Sequence, residues 1–167
     1  MTSPAHRRSQ PLVLHREPVR EAWLDYNGHM NVAYYLLAFD HASDAFAEHI
    51  GIGQAYTRTS GRSIFILECH VAYLREVVGG DPLRFTTHLL GFDDKRIHFA
   101  HAMHHDVRSY HVATGELMLV HVDLAQRKAT AMPAPTLAAL ARIASDQQGL
   151  ERPVGLSRVM GLGAGRP

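Results

Sequence analysis

The sequence predicts an α+β fold in which one long helix packs on one face of an antiparallel sheet. Apolar residues follow helical spacing from residue 34 to residue 49, and the chain beyond residue 62 changes to segments rich in β-branched and aromatic residues. Strands and helices do not alternate along the chain, so a doubly wound nucleotide-binding sheet is not expected.

Each element has a local reason in the sequence. Pro18 interrupts the first β-type segment, residues 12–23, and confines it to a sheet edge or splits it. Asn31 is a suitable N-cap for the helix, and Gly51 and Gly53 end it. Strands are predicted over residues 63–74, 83–90, 96–108 and 117–124, with a turn at Thr114-Gly115 before the last strand and a terminal helix over residues 136–145.

Length and composition narrow the possible functions. The 167 residues favour one domain over residues 11–146, with a disordered N-terminus over residues 1–10 and a flexible tail over residues 147–167. The formal net charge of +1 argues against non-specific nucleic-acid binding. Cys69 is the only cysteine, which excludes an internal disulfide, and no apolar stretch is long enough for a membrane span. We therefore predict a cytoplasmic protein with no nucleic-acid or membrane partner.

The segment over residues 23–35 carries the candidate chemistry. Asp25, Asn27 and His29 lie close together in the loop that leads into the helix N-terminus. Free N–H groups and the helix dipole at such a terminus stabilise an oxyanion, and a nearby carboxylate can attack a carbonyl or activate a water. Asp and Asn also commonly bond their own backbone, so the residues alone leave a capping turn equally open.

The pattern Asp-x-Asn-x-His-Met-Asn-x-x-Tyr-Tyr, followed by a helix and an antiparallel sheet, resembles the hotdog-fold thioesterases. More narrowly it resembles the 4-hydroxybenzoyl-CoA thioesterase family, whose Asp-x-x-Gly falls here on Asp25 and Gly28. The resemblance implies that Asp25 is the nucleophile or general base. It also implies that a backbone N–H near the helix start, that of Val32, polarises a thioester carbonyl. The implied substrate is an acyl-CoA, with water as co-substrate and no cofactor.

Two further similarities add residues. In plant acyl-carrier-protein thioesterases an Asp, an Asn and a His cooperate with a Glu in a Tyr-x-Arg-Glu stretch, which implies catalytic roles for Asn27, His29 and Glu76. Val77 stands where those enzymes have a cysteine. Residues 25–37, 73–76, 89–98 and 121–123 are similar to the thioesterases encoded beside, or fused to, carnitine dehydrogenase, which hydrolyse betainyl-CoA. That resemblance covers residues 12–142 and implies the same substrate, in carnitine degradation.

A betainyl group carries a quaternary ammonium, which aromatic faces bind. The aromatic residues near the motif are Trp23, Tyr26, Tyr34, Tyr35 and Phe39, and Glu68 would add a negative charge. An aromatic stripe is also typical of a protein core, and a flat apolar slot would instead suit an aromatic or aliphatic acyl group.

The phosphates of coenzyme A require basic residues. The candidate pairs are Lys95-Arg96 in a predicted hairpin loop and Arg127-Lys128 after the last strand, with Arg62 and Arg75 as further options. Short basic pairs are also ordinary on a solvated surface.

The chain has 13 histidines, and His98, His101, His104 and His105 suggest a metal cluster. On a strand, His98 and His104 share one face ~20 Å apart, and His101 and His105 share the other face ~13 Å apart. Neither pair can bind one ion, whose ligands lie ~2 Å from it. We predict no metal site and expect most of these histidines to line a half-exposed sheet face or a subunit interface.

One helix on one sheet leaves an open sheet edge and an open face, which self-association would cover. Related folds place the active site at a dimer interface, so we predict a homodimer or a dimer of dimers.

Two other functions stay open. A non-catalytic acyl-CoA-binding domain would not need Asp25, Asn27 and His29 together. A dehydratase or hydratase usually has one more residue between its Asp and its His.

Overall fold

The computed structural model describes residues 10–157, so the predictions for residues 1–9 and 158–167 lie outside the described part of the chain. The helices are α1 (Val32–His49), α2 (Gln54–Ser60) and α3 (Ala134–Asp146), and one turn of 3-10 helix spans Glu21–Trp23. The strands are β1 (Leu12–Pro18), β2 (Arg62–Tyr73), β3 (Pro82–Phe92), β4 (Arg96–His105), β5 (His111–Asp123) and β6 (Lys128–Ala129). No helix among residues 10–157 has the length and apolar character needed to cross a membrane.

The strands form one antiparallel sheet in the order β1-β3-β4-β5-β2, and the short β6 pairs with the end of β5. Pro18 ends β1 at one edge, and the long strand β2 forms the other edge. The predicted α+β fold with an antiparallel sheet is confirmed. Helix α2 was not predicted, because none of its 7 residues is buried and it therefore lacks an apolar helical pattern.

Helix α1 begins and packs as its sequence requires. The Asn31 side chain accepts a hydrogen bond from the Ala33 N–H at 3.0 Å, which makes Asn31 the N-cap. The buried face of α1 carries Phe39 and Phe46 with small residues between them, so the helix lies close to the sheet.

The predicted turn at Thr114-Gly115 is wrong, because both residues lie within β5. The chain instead reverses between β4 and β5 over residues 106–110, where Ser109 adopts a φ of 58°. A Cβ added at Gly115 would lie 2.9 Å from the Phe39 ring. The glycine therefore permits the close approach of α1 to the sheet.

Residues 147–157 lie against the sheet, although the sequence places them in a flexible tail. Gln147 donates from Nε2 to the Thr87 carbonyl at 2.9 Å and accepts from the Leu89 N–H at 2.8 Å. The Thr114 hydroxyl donates to the Val154 carbonyl at 2.6 Å, and the Ser157 N–H donates to Glu116 at 2.6 Å. The packed part of the chain thus extends beyond residue 146.

Several histidines are more deeply buried than the sequence suggests. His101, His105 and His121 have exposed fractions of 0%, 3% and 1%. Polar groups surround them. His101 hydrogen-bonds to Ser43 and Thr87, and His121 lies between the Tyr56 hydroxyl and the Thr130 carbonyl. His105 accepts from the backbone N–H groups of residues 107 and 108. These contacts satisfy the hydrogen-bonding nitrogens of the buried imidazoles. On a half-exposed face, water would bind these nitrogens instead.

Burial also lowers the pKa of His101 to about 3, and burial next to His111 lowers the pKa of both His88 and His104 to about 4. The unfolded chain therefore binds protons below an ordinary histidine pKa of 6.5 that the folded chain does not bind.

We expect the free energy of unfolding to fall as the pH is lowered from about 6.5 towards 4, by up to about 1.4 kcal/mol per pH unit for His101. Urea unfolding near pH 7 and near pH 5 measures this slope. The variant His101→Gln, which keeps polar atoms at the site, should show a shallower slope. An identical slope in the variant would contradict the assignment to His101.

Candidate active site

Asp25 lies in a tight hairpin turn between the 3-10 turn and α1. Leu24 and Met30 form a bridge across the turn, and the Asp25 N–H donates to the His29 carbonyl at 2.9 Å. Gly28 closes the turn with a φ of 78°, a conformation that favours glycine. The Asp-x-x-Gly motif therefore spans this turn, from Asp25 to Gly28.

One oxygen of the Asp25 carboxylate holds the turn together. Oδ1 accepts hydrogen bonds from the Asn27 N–H at 2.8 Å and the His29 N–H at 3.4 Å. The capping turn left open by the sequence is therefore present. Within residues 10–157 no protein group hydrogen-bonds to Oδ2, and the residue is half-exposed. The turn fixes the direction of the carboxylate and leaves its second oxygen for chemistry.

The start of α1 follows this turn directly. The Asn31 side chain engages the Ala33 N–H, and the Asn31 carbonyl accepts from the Tyr34 N–H at 3.0 Å. Among the described residues, the N–H of Val32 has no hydrogen-bond acceptor. Val32 is 60% exposed, so its N–H is a free donor at the positive end of a helix.

His29 and Glu76 come together although they are far apart in the sequence. His29 forms a bridge with Val78, and its Nε2 lies 3.6 Å from a Glu76 oxygen. Both line a groove of about 550 Å³ that also contains Arg75, Asp81 and Arg108. The Arg75 guanidinium lies 5.3 Å from the ring centre of Tyr110. The Asn27 side chain is exposed at the tip of the turn.

A second groove, of about 350 Å³, lies between α1 and β2. Its lining is apolar except for one carboxylate and one thiol: Ala33, Leu36, Leu37, Asp40, Ile66, Cys69 and Leu117. Burial raises the pKa of the Cys69 thiol, which favours the neutral thiol in the wall of this groove. The groove begins one residue beyond the free N–H of Val32.

The five predicted aromatic residues are not assembled into a cage within the described chain. Trp23 is buried and stacks on Tyr34 with ring centres 5.7 Å apart, and Phe39 is fully buried. Tyr26 is 97% exposed. Tyr35 is buried, and its ring meets that of Tyr73 at 5.1 Å.

Tyr73, the first residue of the Tyr-x-Arg-Glu stretch, was not predicted to contact the acyl group. It ends β2, is 49% exposed, and donates from its hydroxyl to the Val32 carbonyl at 3.4 Å. Tyr73 therefore places its hydroxyl at the first residue of α1 while about half of the residue stays exposed. Its position depends on the packing of β2 against α1, which cannot be predicted from the local sequence.

Glu68 lies on the face of the sheet away from α1, which we call the outer face. On β5, Leu117 and Leu119 pack with Phe46, so Glu116 and Met118 point to the outer face. Glu68 pairs with His70 at 2.8 Å and shares a small cavity with Glu116 and His98. Within a single chain, Glu68 therefore does not lie at the Asp25 turn.

Both basic pairs lie at the opposite end of the sheet from Asp25. The loop with Lys95 and Arg96 joins β3 to β4 at the far end of β3, and Lys128 pairs with Asp123 at the far end of β5. β3 has 11 residues, so its two ends lie about 33 Å apart. Arg96 is already paired with Asp93 at 2.7 Å, while Arg127 is exposed.

A family model of the thioesterase-like superfamily matches residues 19–140. The chain is 40% identical over 154 residues to the betainyl-CoA thioesterase of Pseudomonas aeruginosa, across 92% of this chain and 97% of that protein. It is 41% identical over 139 residues to the L-carnitine dehydrogenase/betainyl-CoA thioesterase of Agrobacterium fabrum, across 83% of this chain and 28% of that longer protein.

Comparison with solved structures also finds a thioesterase. A solved structure of a candidate thioesterase from Pseudomonas putida KT2440 matches with a TM-score of 0.81 and 35% identity, covering 93% of this chain and 99% of that one. The resemblance that began with the Asp25 motif is confirmed over almost the whole described chain. This chain is therefore a hotdog-fold member of the thioesterase-like superfamily.

Proposed function

We propose that the protein hydrolyses a small acyl-CoA thioester, betainyl-CoA, to the free acid and coenzyme A. The observation that carries the thioesterase chemistry is an oriented Asp25 carboxylate in the turn that leads into α1, whose first residue, Val32, has a free N–H. The choice of acyl group rests on the relative of Pseudomonas aeruginosa, which is 40% identical and is named for betainyl-CoA.

The chemistry assigns one task to each group. The thioester oxygen accepts a hydrogen bond from the Val32 N–H, which stabilises the oxyanion that forms when the carbonyl is attacked. Asp25 takes a proton from the attacking water, or attacks the carbonyl itself to give an anhydride that water then cleaves. In the first route the C–S bond breaks as Asp25 passes the proton from water to the sulfur. In the second route the sulfur leaves as a thiolate and takes its proton from water. Both routes give the free acid and the coenzyme A thiol. His29, paired with Glu76 beside this turn, orients the water or the acyl group.

A second copy of the chain completes the site. The edge strand β2 exposes Phe65, Ile66 and Leu67, and the neighbouring face of α1 exposes Leu36 and Leu37. An exposed apolar edge of this length favours pairing with another strand. Antiparallel pairing of two β2 strands about their centre would cover this surface and form a homodimer.

The same pairing explains where coenzyme A binds. β2 has 12 residues, so Arg62 of the partner subunit would lie beside Tyr73. The basic end of the partner's sheet, which carries Lys95, Arg96, Arg127 and Lys128, would then lie on the same side as Asp25. Arg75 and Arg108, which line the groove with His29, add positive charge there. The phosphates thus bind between two subunits.

Tyr73 replaces the predicted aromatic cage as the contact for the cationic acyl group. The quaternary nitrogen of a betainyl group lies one carbon from the thioester carbonyl, so its ligand must lie close to the Val32 N–H. Tyr73 contacts the Val32 carbonyl at 3.4 Å and is 49% exposed. A tyrosine face binds such a cation with about 0.5–2 kcal/mol.

One observation favours a second candidate substrate. The groove between α1 and β2 is almost wholly apolar, which suits an aliphatic or aromatic acyl group. Release of the coenzyme A thiol from betainyl-, acetyl-, 4-hydroxybenzoyl- and medium-chain acyl-CoA separates the candidates. Preference for betainyl-CoA supports the proposal, preference for another thioester assigns that acyl group instead, and no release from any of them indicates a binding domain.

Replacing Tyr73 tests the cation contact. We expect Tyr73→Leu to raise the KM for betainyl-CoA by about 3–30-fold, the equivalent of one cation–π contact, and to leave the KM for acetyl-CoA nearly unchanged. The control Tyr73→Phe keeps the ring and removes the hydroxyl, so it should retain the preference. Equal effects of the leucine variant on both substrates would refute a specific contact with the cation.

A further inference from the structure

Three side chains outside the proposed active site converge between β1 and α1. They are His15 and Glu17, which share one face of β1, and His41, which lies on the second half of α1. One potential ligand atom from each lies within 4.8 Å of the other two. Among the described residues, this is the one group of three His, Cys, Asp or Glu side chains with that property.

The convergence centres on the carboxylate of Glu17. Oε1 of Glu17 lies 3.0 Å from Nε2 of His15 and 2.8 Å from Nδ1 of His41. The other oxygen, Oε2, lies 3.1 Å from Nδ1 of His41 and 3.7 Å from the Arg20 guanidinium, so His41 contacts both carboxylate oxygens and Arg20 lies beside the second. The Glu17 side chain is 7% exposed, whereas His15 and His41 are 23% and 31% exposed. The group is therefore anchored at its carboxylate and open to solvent on its imidazole side.

We propose that His15, Glu17 and His41 form a binding site for a divalent transition-metal ion such as Zn²⁺. Two imidazoles and one carboxylate are ligands that Zn²⁺ takes with bonds of about 2.0–2.2 Å, with a water in the fourth position. In such a tetrahedral site the ligand atoms lie roughly 3.3 Å apart. The contacts of 2.8 Å and 3.0 Å need to open by a few tenths of an ångström, with the ion taking the place of the protons between them. The two imidazole nitrogens lie within 4.8 Å of each other and need to reach a similar separation.

The position of the site indicates what a bound ion would do. His15 and Glu17 precede the Asp25 turn and His41 follows it, so an ion would join the two segments that flank this turn. β1 is an edge strand, paired on one side only. Metal binding would therefore fasten the edge strand to α1 and stabilise the fold.

The test uses full-length protein without an affinity tag, freed of metal with a chelator and titrated with Zn²⁺ against a chromophoric competitor. We expect one tight equivalent per chain and a melting temperature that rises by several degrees. Co²⁺ should give the strong visible absorption of a tetrahedral ion. Glu17→Gln keeps the size and an oxygen of the side chain, and it should weaken this binding by more than about tenfold, as should His41→Ala.

His98→Ala is the matched control, because His98 also pairs with a glutamate at 2.8 Å but belongs to no group of three within residues 10–157. It should bind Zn²⁺ as the wild type does. Equal binding by wild type and Glu17→Gln, whose folding is checked by its metal-free melting temperature, would assign the ion to scattered surface histidines and overturn the proposal. Failure of the wild type to bind Zn²⁺ at micromolar concentrations would also overturn it.

Discussion

Asp25→Asn is expected to lower kcat for thioester hydrolysis by about 10²–10⁴-fold, the range of a lost general base or nucleophile. Asparagine keeps an oxygen in the place of Oδ1, so the hydrogen bonds from the Asn27 and His29 N–H groups can persist. The turn and the melting temperature should therefore change little. Steady-state release of the coenzyme A thiol measures the effect.

The control for this substitution is Asp146→Asn, at the exposed end of α3. It removes the same charge far from the turn and should leave kcat unchanged. An Asp25→Asn protein that folds and retains wild-type kcat would show that Asp25 serves only as the capping residue of the turn, and that another group attacks the thioester.

Leu67→Lys is expected to separate the subunits. Leu67 is 58% exposed in a single chain, so a lysine there costs the monomer little. In a dimer paired through β2, the same lysine would be a buried unpaired charge, which weakens association by at least about 100-fold. Activity should fall with the dimer, since the phosphates of coenzyme A would lose the basic residues of the partner subunit. Light scattering and thiol release on the same samples measure both effects.

Val13→Lys is the matched control on the other edge of the sheet. Val13 lies on β1 and is 40% exposed. This variant should stay dimeric and active. Dissociation by Val13→Lys and not by Leu67→Lys would place the interface on β1, and the partner's basic end would then not reach Asp25.

The features that depend on neighbouring residues could be predicted from the sequence. The start of α1 follows from the capping chemistry of Asn31, and the Asp25 turn follows from the Asp-x-x-Gly spacing. Most strand segments follow from their β-branched and aromatic content. The predicted turn at Thr114-Gly115 is wrong because a glycine that admits the Phe39 ring cannot be distinguished by sequence from a glycine in a turn.

The features that depend on topology could not be predicted in this way. Tyr73 reaches Val32, and His29 reaches Glu76, only because the chain after β2 returns beside the Asp25 turn. Trp23 is one of the aromatic residues predicted to contact a cationic acyl group. Its stacking on Tyr34 in the core cannot be predicted from the sequence. The His15, Glu17 and His41 group could not be predicted because its members lie on a strand and a helix that meet only in the folded protein.

The most direct test of the proposed function compares betainyl-CoA with 3,3-dimethylbutyryl-CoA, in which a carbon replaces the quaternary nitrogen and the shape is kept. If the site recognises the cation beside Tyr73, kcat/KM for betainyl-CoA should exceed that for the neutral thioester by about tenfold, the scale of one to two kcal/mol of cation–π binding. Equal values, or faster hydrolysis of the neutral thioester, would contradict betainyl-CoA as the substrate and would assign the site to an uncharged acyl group.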